Sequence, residues 1–438
     1  PQFWASVFPP YSTSPFFGPD HILSLGQGLR SLSNALSGLL SAADHNISYT
    51  RGASIAVKRI NNMLNINHFQ SEILVYSKTS NNKDIKSIKK KNILIDYTKA
   101  NFHKIFKKIL KIFFRINFKY SVNFNLFPSN LSGRINNLNS EIINLHWLGN
   151  EMISLSDIGK IKKKIVWTMH DMWPYTCFEN YIDENDFFEK YSLNKKKNSF
   201  LMEFFLKRKK KYFKNIKYII CTSEWQKKMC ENSYIFSKVK IEKINLPLDF
   251  NKWKPLDKIT TRRSLKINND DIVFSFMLPH RYAAHRKGLD FIVRALSKIK
   301  MKKITLITTN CESIKFGNVN HLNFNNINLF EDRLKILSAS DIYLMPSRLE
   351  SFGQGLLEAQ ACNNLGITFK NTGSADIISN EQTGYLANFL DDEDFYNGIS
   401  WCIDNLSITK KNMIRKLSME KFSYLSINKA YVKLFKQI

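Results

Sequence analysis

The stretch DIYLMPSRLESFGQGLLEAQAC, residues 341 to 362, decides the reading of this chain. Ile342-Tyr343-Leu344-Met345 is a short apolar run bounded by an acid and a proline, the mark of a buried parallel strand. Pro346-Ser347-Arg348 ends it, and Glu350-Ser351-Phe352-Gly353-Gln354-Gly355 predicts a loop with two glycines. Leu356 to Ala361 is built of strong helix formers. Strand, glycine loop and helix start together offer backbone N–H groups and the positive end of a helix dipole to an anion. Glu350 lies in the loop and Glu358 in the first turns of the helix. Amides suit phosphate and carboxylates suit hydroxyls, so the pattern fits a phosphorylated sugar or a nucleotide.

With Pro346-Ser347, Glu350, Phe352-Gly353 and Leu357-Glu358-Ala359 in one frame, the stretch resembles the signature of retaining glycosyltransferases of family 4. In that family two Glu residues stand seven apart, as Glu350 and Glu358 do. The resemblance implies an α/β chain of the GT-B class, with two Rossmann-like domains and parallel sheets facing a central cleft. It implies donor binding by the second domain and acceptor binding by the first. The expected division is an atypical extension over 1–45, an acceptor domain over 46–245, a donor domain over 246–415 and a helix over 416–438 that crosses back.

A second match lies at Thr168 to Thr176. His170-Asp171-Met172-Trp173 follows the strand Lys164 to Met169 and resembles a segment of a subgroup acting on bacterial surface polysaccharides. His170, at the C-terminal end of a parallel strand, becomes a candidate to accept a proton from the acceptor hydroxyl or to hold the sugar. Trp147, Asp171 and Trp173 are candidates to line the same side. The subgroup continues Gly-Gly-Cys-His-Tyr, whereas Cys177-Phe178-Glu179-Asn180-Tyr181 here keeps only the tyrosine.

In the second half, Ile272 to Met277 predicts a buried strand, followed by a basic loop through Arg281, Arg286 and Lys287-Gly288. Cations between a strand end and a helix are placed to neutralise a diphosphate. Lys287-Gly288 matches the family; Arg281 and Arg286 both remain candidates for the accompanying arginine. The resemblance implies that Glu350, Phe352, Gly353, Gln354 and Glu358 complete the donor site, with Glu358 on the ribose hydroxyls. His170, Lys287 and Glu350 form the expected catalytic set, with no metal and no cofactor beyond the nucleoside diphosphate sugar itself. Gly52 belongs to the first loop, where the family carries Gly-Gly-Ala and this chain has Arg51-Gly52-Ala53. The strand before it is expected over Ala43 to Ser48, and Tyr218-Ile219-Ile220 is expected to be the last strand of the first domain.

Charge bears on partners. There are 65 Lys and Arg against 37 Asp and Glu, a net charge of +28. No nucleic-acid-binding motif accompanies this charge, so nucleic acid is not an expected partner. Lys104 to Arg115 interleaves lysines with Ile105, Ile109, Ile112 and Phe113 at helical spacing. That pattern suits either an anionic membrane surface or a helix with its apolar face in the core. A second lysine-rich helix near 195–217 should turn Phe204, Leu206 and Tyr212 inward. Six scattered cysteines without paired spacing suggest buried thiols in a reducing compartment. The expected enzyme is cytoplasmic, or held at the inner face of the plasma membrane, and moves a sugar to a glycan or lipid-linked acceptor. The alternatives are a phosphorylase or epimerase on the same scaffold and a catalytically degenerate paralogue serving as a membrane-associated scaffold.

Overall fold

A computed structural model describes residues 39–41, 52–75, 85–87, 93–116, 118–195, 198–300, 303–312, 318–325, 327, 330–406 and 408–438. Two parallel sheets carry the α/β fold. The first contains β1 (Leu39–Ser41), β2 (Ile73–Val75), β3 (Ile85–Ser87), β4 (Ile142–Leu145), β5 (Lys164–Thr168), β6 (Ile216–Cys221) and β7 (Lys240–Lys243). Their spatial order is β3-β2-β1-β4-β5-β6-β7. The second contains β8 (Ile272–Met277), β9 (Ile304–Thr309), β10 (Asn320–Phe324), β11 (Ile342–Met345), β12 (Leu365–Phe369) and β13 (Gly384–Ala387), in the order β10-β9-β8-β11-β12-β13. Every strand pair is parallel.

The inner strands are buried throughout because both faces of the sheets are covered. All residues of β4, β9, β11 and β12 are buried. In both sheets the order reverses beside a central strand, and there loops from neighbouring strands diverge and leave a crevice. The loop after β5 meets the loop after β8 at this place, where the Arg286 guanidinium lies 4.5 Å from the Tyr181 ring. Leu349, just beyond β11, packs into the hydrophobic core of the first sheet. The Thr222 hydroxyl donates to the Ser351 carbonyl at 3.2 Å across the same boundary.

One strand is found where none was expected, and one expectation is corrected. The first sheet begins at Leu39–Ser41, inside the stretch read as an extension, and the strand expected over Ala43 to Ser48 lies outside the described residues. The last strand of the first sheet is Lys240–Lys243, beyond Tyr218-Ile219-Ile220. Its Lys240, Glu242 and Lys243 suit an edge position, where charged side chains keep the open side of a strand from pairing further.

One helix differs from expectation, and in another the structure decides between two open alternatives. In the helix Phe200–Tyr212, Phe205, Leu206 and Lys209 turn inward and Phe204 lies outside. In the helix Ile93–Phe113, Leu110 is buried while Ile105, Ile109, Ile112 and Phe113 are exposed, so that face does not enter the core. The closing helix Tyr424–Phe435 packs against Gly52–Ile66 of the first unit, with the Phe435 and Phe69 rings 6.3 Å apart.

Candidate active site

Lys287 ends a short helical turn after β8, and Gly288 follows it at φ 76°. A side chain at Gly288 would collide with the Pro346 carbonyl, its Cβ only 1.8 Å from that oxygen. Glycine therefore lets the loop after β8 lie directly on the loop after β11. The contact is zippered: the Arg348 amide donates to the Arg286 carbonyl at 2.8 Å, and the Arg286 guanidinium donates to the Leu349 carbonyl at 2.8 Å. Across the zipper the Lys287 ammonium pairs with the Glu350 carboxylate, both side chains largely buried. Burial alone would raise the Glu350 carboxyl, but the Lys287 and Arg286 charges outweigh it and hold the group below its usual range. Burial lowers Lys287, and Glu350 opposes that shift.

Three residues beyond Glu350, Gly353 takes φ 96° and begins the helix Gln354–Ala361. Its position is crowded, since a Cβ there would come within 2.7 Å of the Ser374 side chain. The helix start thus lies beside a buried ammonium, a combination that can grip a pyrophosphate and stabilise charge developing on it. Of the two candidate arginines, Arg286 joins this cluster and also stacks over the Tyr181 ring at 4.5 Å. Arg281 lies exposed and donates to the Tyr282 hydroxyl at 2.9 Å. Phe352 is a core residue, edge-on to Phe422.

Glu358 is fully buried and holds two arginines that were not among the expected site residues. Arg59, from the first unit, donates to one carboxylate oxygen at 2.5 Å, and Arg333 pairs with the other. Arg59 also donates to the Gln354 side chain at 3.1 Å, whose amide in turn donates to the Gly52 carbonyl at 2.7 Å. Gly52, Arg59, Gln354 and Glu358 thereby form one latch between the two units. Arg51 lies outside the described residues.

On the opposite wall, a His146 ring nitrogen, Nδ1, stands 2.9 Å from Nε2 of His170. Burial lowers the His170 imidazole to about 4, and burial with the neighbouring His170 ring holds His146 well below its ordinary value, so both are neutral at neutral pH. Asp171 accepts from the Trp147 indole at 2.8 Å, the Asn180 amide at 2.8 Å and the Trp173 backbone at 3.1 Å. Burial nevertheless pushes its carboxyl up to about 7. Trp173, expected to line the cleft, is instead a buried core ring whose indole donates to the Asn123 carbonyl at 2.7 Å. Lys209 fixes this loop from behind, donating to the carbonyls of Trp173, Thr176 and Cys177 with its ammonium 3.9 Å from the Trp173 ring.

Lys287 and Glu350 are therefore brought together, with Arg286 beside them and Gly353 three residues on, while Gln354 and Glu358 of the following helix meet at Arg59, with the Gly52 carbonyl reached by Gln354. His170, Trp147 and Asp171 form a second cluster on the loops after β4 and β5. His146 and Arg59 were missed by the sequence reading. A histidine one strand before His170, and an arginine two helical turns after Gly52, were the signals present. Among the described residues no group of three or more His, Cys, Asp or Glu side chains could hold a metal ion.

Residues 257–417 match the model of the Glycosyl transferases group 1 family. No curated protein matches the chain by sequence. Among solved structures, the chain is similar to the sucrose-phosphate synthase of Thermosynechococcus elongatus, with a TM-score of 0.63 and 15% identity over 92% of this chain and 98% of that one. A glycosyltransferase of Rickettsia africae gives a TM-score of 0.59 and 17% identity over 92% and 98%. HepE of Anabaena, solved with UDP and glucose, gives 0.58 and 13% over 92% and 100%. The fold is GT-B, and the domain match with that fold supports a glycosyltransferase.

Proposed function

We propose that this chain, with its group 1 glycosyltransferase domain set in a GT-B fold, moves a sugar with retention of configuration from a nucleoside diphosphate to a glycan or lipid-linked acceptor. The observation that carries the reading is the buried Lys287–Glu350 pair beside the start of the helix Gln354–Ala361. Lys287, Arg286 and the amides after Gly353 take the pyrophosphate and stabilise the charge that grows on it as the glycosidic bond breaks. Glu350 lies within reach of the same position and holds the sugar. Glu358, two turns into the helix, accepts from the ribose hydroxyls. His170 and Asp171 face this arrangement from the first unit and receive the acceptor. No metal and no further cofactor enters the proposal.

The similarity to HepE, solved with UDP and with UDP-glucose, favours a uridine nucleotide among the donors. Resemblance of the His170 segment favours an acceptor in bacterial surface polysaccharide synthesis, with the enzyme working in the cytoplasm. A thermal-shift panel of UDP-, GDP- and ADP-sugars tests the donor site, since a ligand raises stability only if the folded state binds it. One of these should raise Tm for the natural chain and fail to do so for Lys287→Ala. An equal rise in both would remove Lys287 from the site.

One observation favours a second reading, a degenerate paralogue that binds without turnover. Both oxygens of Glu358 are already engaged, by Arg59 and Arg333. In that case the panel gives a shift, or none, while donor hydrolysis and transfer stay at background across all donors and acceptors.

A further inference from the structure

The helix Ile93–Phe113 has an inner side, where Leu110 is buried and Phe106 packs edge-on to Phe124 at 4.8 Å. On another side Ile105, Ile112 and Phe113 are 60%, 58% and 75% exposed, with Ile109 and Phe114 exposed as well. Large aliphatic and aromatic side chains scattered singly on a surface are ordinary. Five of them within ten residues form a patch, which is not. Lys104, Lys107, Lys108, Lys111 and Arg115, all exposed, lie among them. No Asp or Glu occurs between Asp96 and Glu141.

The patch continues onto a second element. Phe106 meets Phe205 at 6.2 Å, which sets the helix Phe200–Tyr212 beside the first. There Phe200 and Phe204 are exposed one turn apart, and Lys207 and Lys211 extend the same stripe. Apolar side chains at the centre with ammonium groups around them match a bilayer of acidic lipid, whose acyl chains take the former and whose headgroups take the latter. A second copy of this chain is a poor occupant, because two faces dense in lysine and free of acid between 97 and 140 would repel each other.

We propose that these two helices form one docking surface for an anionic membrane. The surface backs onto the acceptor side of the crevice: Phe124 lies 5.2 Å from Phe178, and Phe178 lies 4.9 Å from Phe205. Phe178 belongs to the same loop as Asp171 and Asn180. Docking therefore holds the acceptor wall close to the lipid surface by a single rigid aromatic cluster. The proposal goes beyond sugar transfer and stands whether or not transfer occurs.

The test is co-sedimentation of the full chain with vesicles of phosphatidylcholine alone or with about 30 mol% phosphatidylglycerol. Binding is expected only to the mixed vesicles, and should fall steeply as salt shrinks the Debye length from about 8 Å towards about 3 Å. Ile112→Glu with Phe113→Glu should weaken it about tenfold or more, and Lys107→Glu with Lys108→Glu likewise. Both pairs lie on the surface, so unchanged Tm and unchanged nucleotide response certify the fold and separate this test from that of the donor site. As a further readout, Phe113→Trp should show a blue-shifted emission on adding mixed vesicles. Equal binding to both vesicle types, binding unaffected by the substitutions, or a concentration-dependent dimer in place of vesicle binding would each overturn the proposal.

Discussion

Glu358 has two carboxylate oxygens, and a guanidinium stands on each. Arg333 comes from the helix Phe330–Ala339 of the same unit, Arg59 from the first turns of the other. A buried carboxylate needs such partners, since leaving it unpaired in a dry interior costs far more than pairing returns. If the ribose of a donor takes Glu358, one guanidinium must give way, and Arg59 is the one whose loss also loosens the contact between units. Arg59→Ala is therefore expected to lower stability by about 1–3 kcal/mol, with Arg333 still holding the carboxylate. It should at the same time bind UDP-sugar at least as tightly as the natural chain by calorimetry. A parallel loss of affinity would mean that Arg59 supports the donor site and does not compete for it.

At the scale of the element, the site depends on two loops pressed together at Gly288. Only a residue without Cβ fits there, because both the positive φ and the Pro346 carbonyl forbid one. Gly288→Ala should cost about 3 kcal/mol and should pull Lys287 away from Glu350, so that nucleotide no longer raises Tm. Gly133, in the short helix Ser132–Asn136, has nothing within 4 Å of a built Cβ. Alanine there is expected to be neutral or mildly stabilising by urea denaturation, which separates the close approach from a general effect of replacing glycine. Leu110 and Ile109 make the parallel point for helices. They are neighbours in a lysine-rich amphipathic run, and one is buried while the other is not.

At the scale of the whole molecule, buried titrating groups tie global stability to pH. His170 is neutral in the fold, its imidazole lowered to about 4 by burial, against an ordinary value of 6.5. Between those values the unfolded chain binds the proton and the folded chain does not, so the His170 contribution is present above pH 6.5 and lost as pH falls through about 4. Asp171 acts in the opposite sense. Its carboxyl, raised to about 7, binds a proton in the fold that the unfolded chain releases above 3.8, so its contribution is present below that value and lost as pH rises through about 7. The two partly cancel in the natural chain. His170→Gln removes one of them, and its urea midpoint relative to the natural chain should rise by about 1–2 kcal/mol equivalent between pH 7 and pH 4.5, after discounting for the partly solvated ring. A difference that stays constant across that range would place the titration elsewhere.

Local pattern alone determined β11, β12 and the helix between them, because a buried parallel strand, a glycine turn and a run of helix formers each obey rules that act within a few residues. Ile342–Met345 and Leu365–Phe369 fall where the apolar runs lie. Lys287 and Glu350 were each legible as site candidates because both sit beyond strand ends, where such folds collect their ligands, but their pairing with one another appears only in the structure. What only the tertiary structure decided depends on partners far away in sequence. Leu39–Ser41 becomes a central strand through β2 and β4, and Lys240–Lys243 an edge through β6. Arg59 meets Glu358 across 299 residues, and Trp173 turns into the core through Asn123. A strand's place in a sheet, a salt bridge between units and the outward side of an amphipathic helix are set by what lies opposite. No window along the chain contains that information.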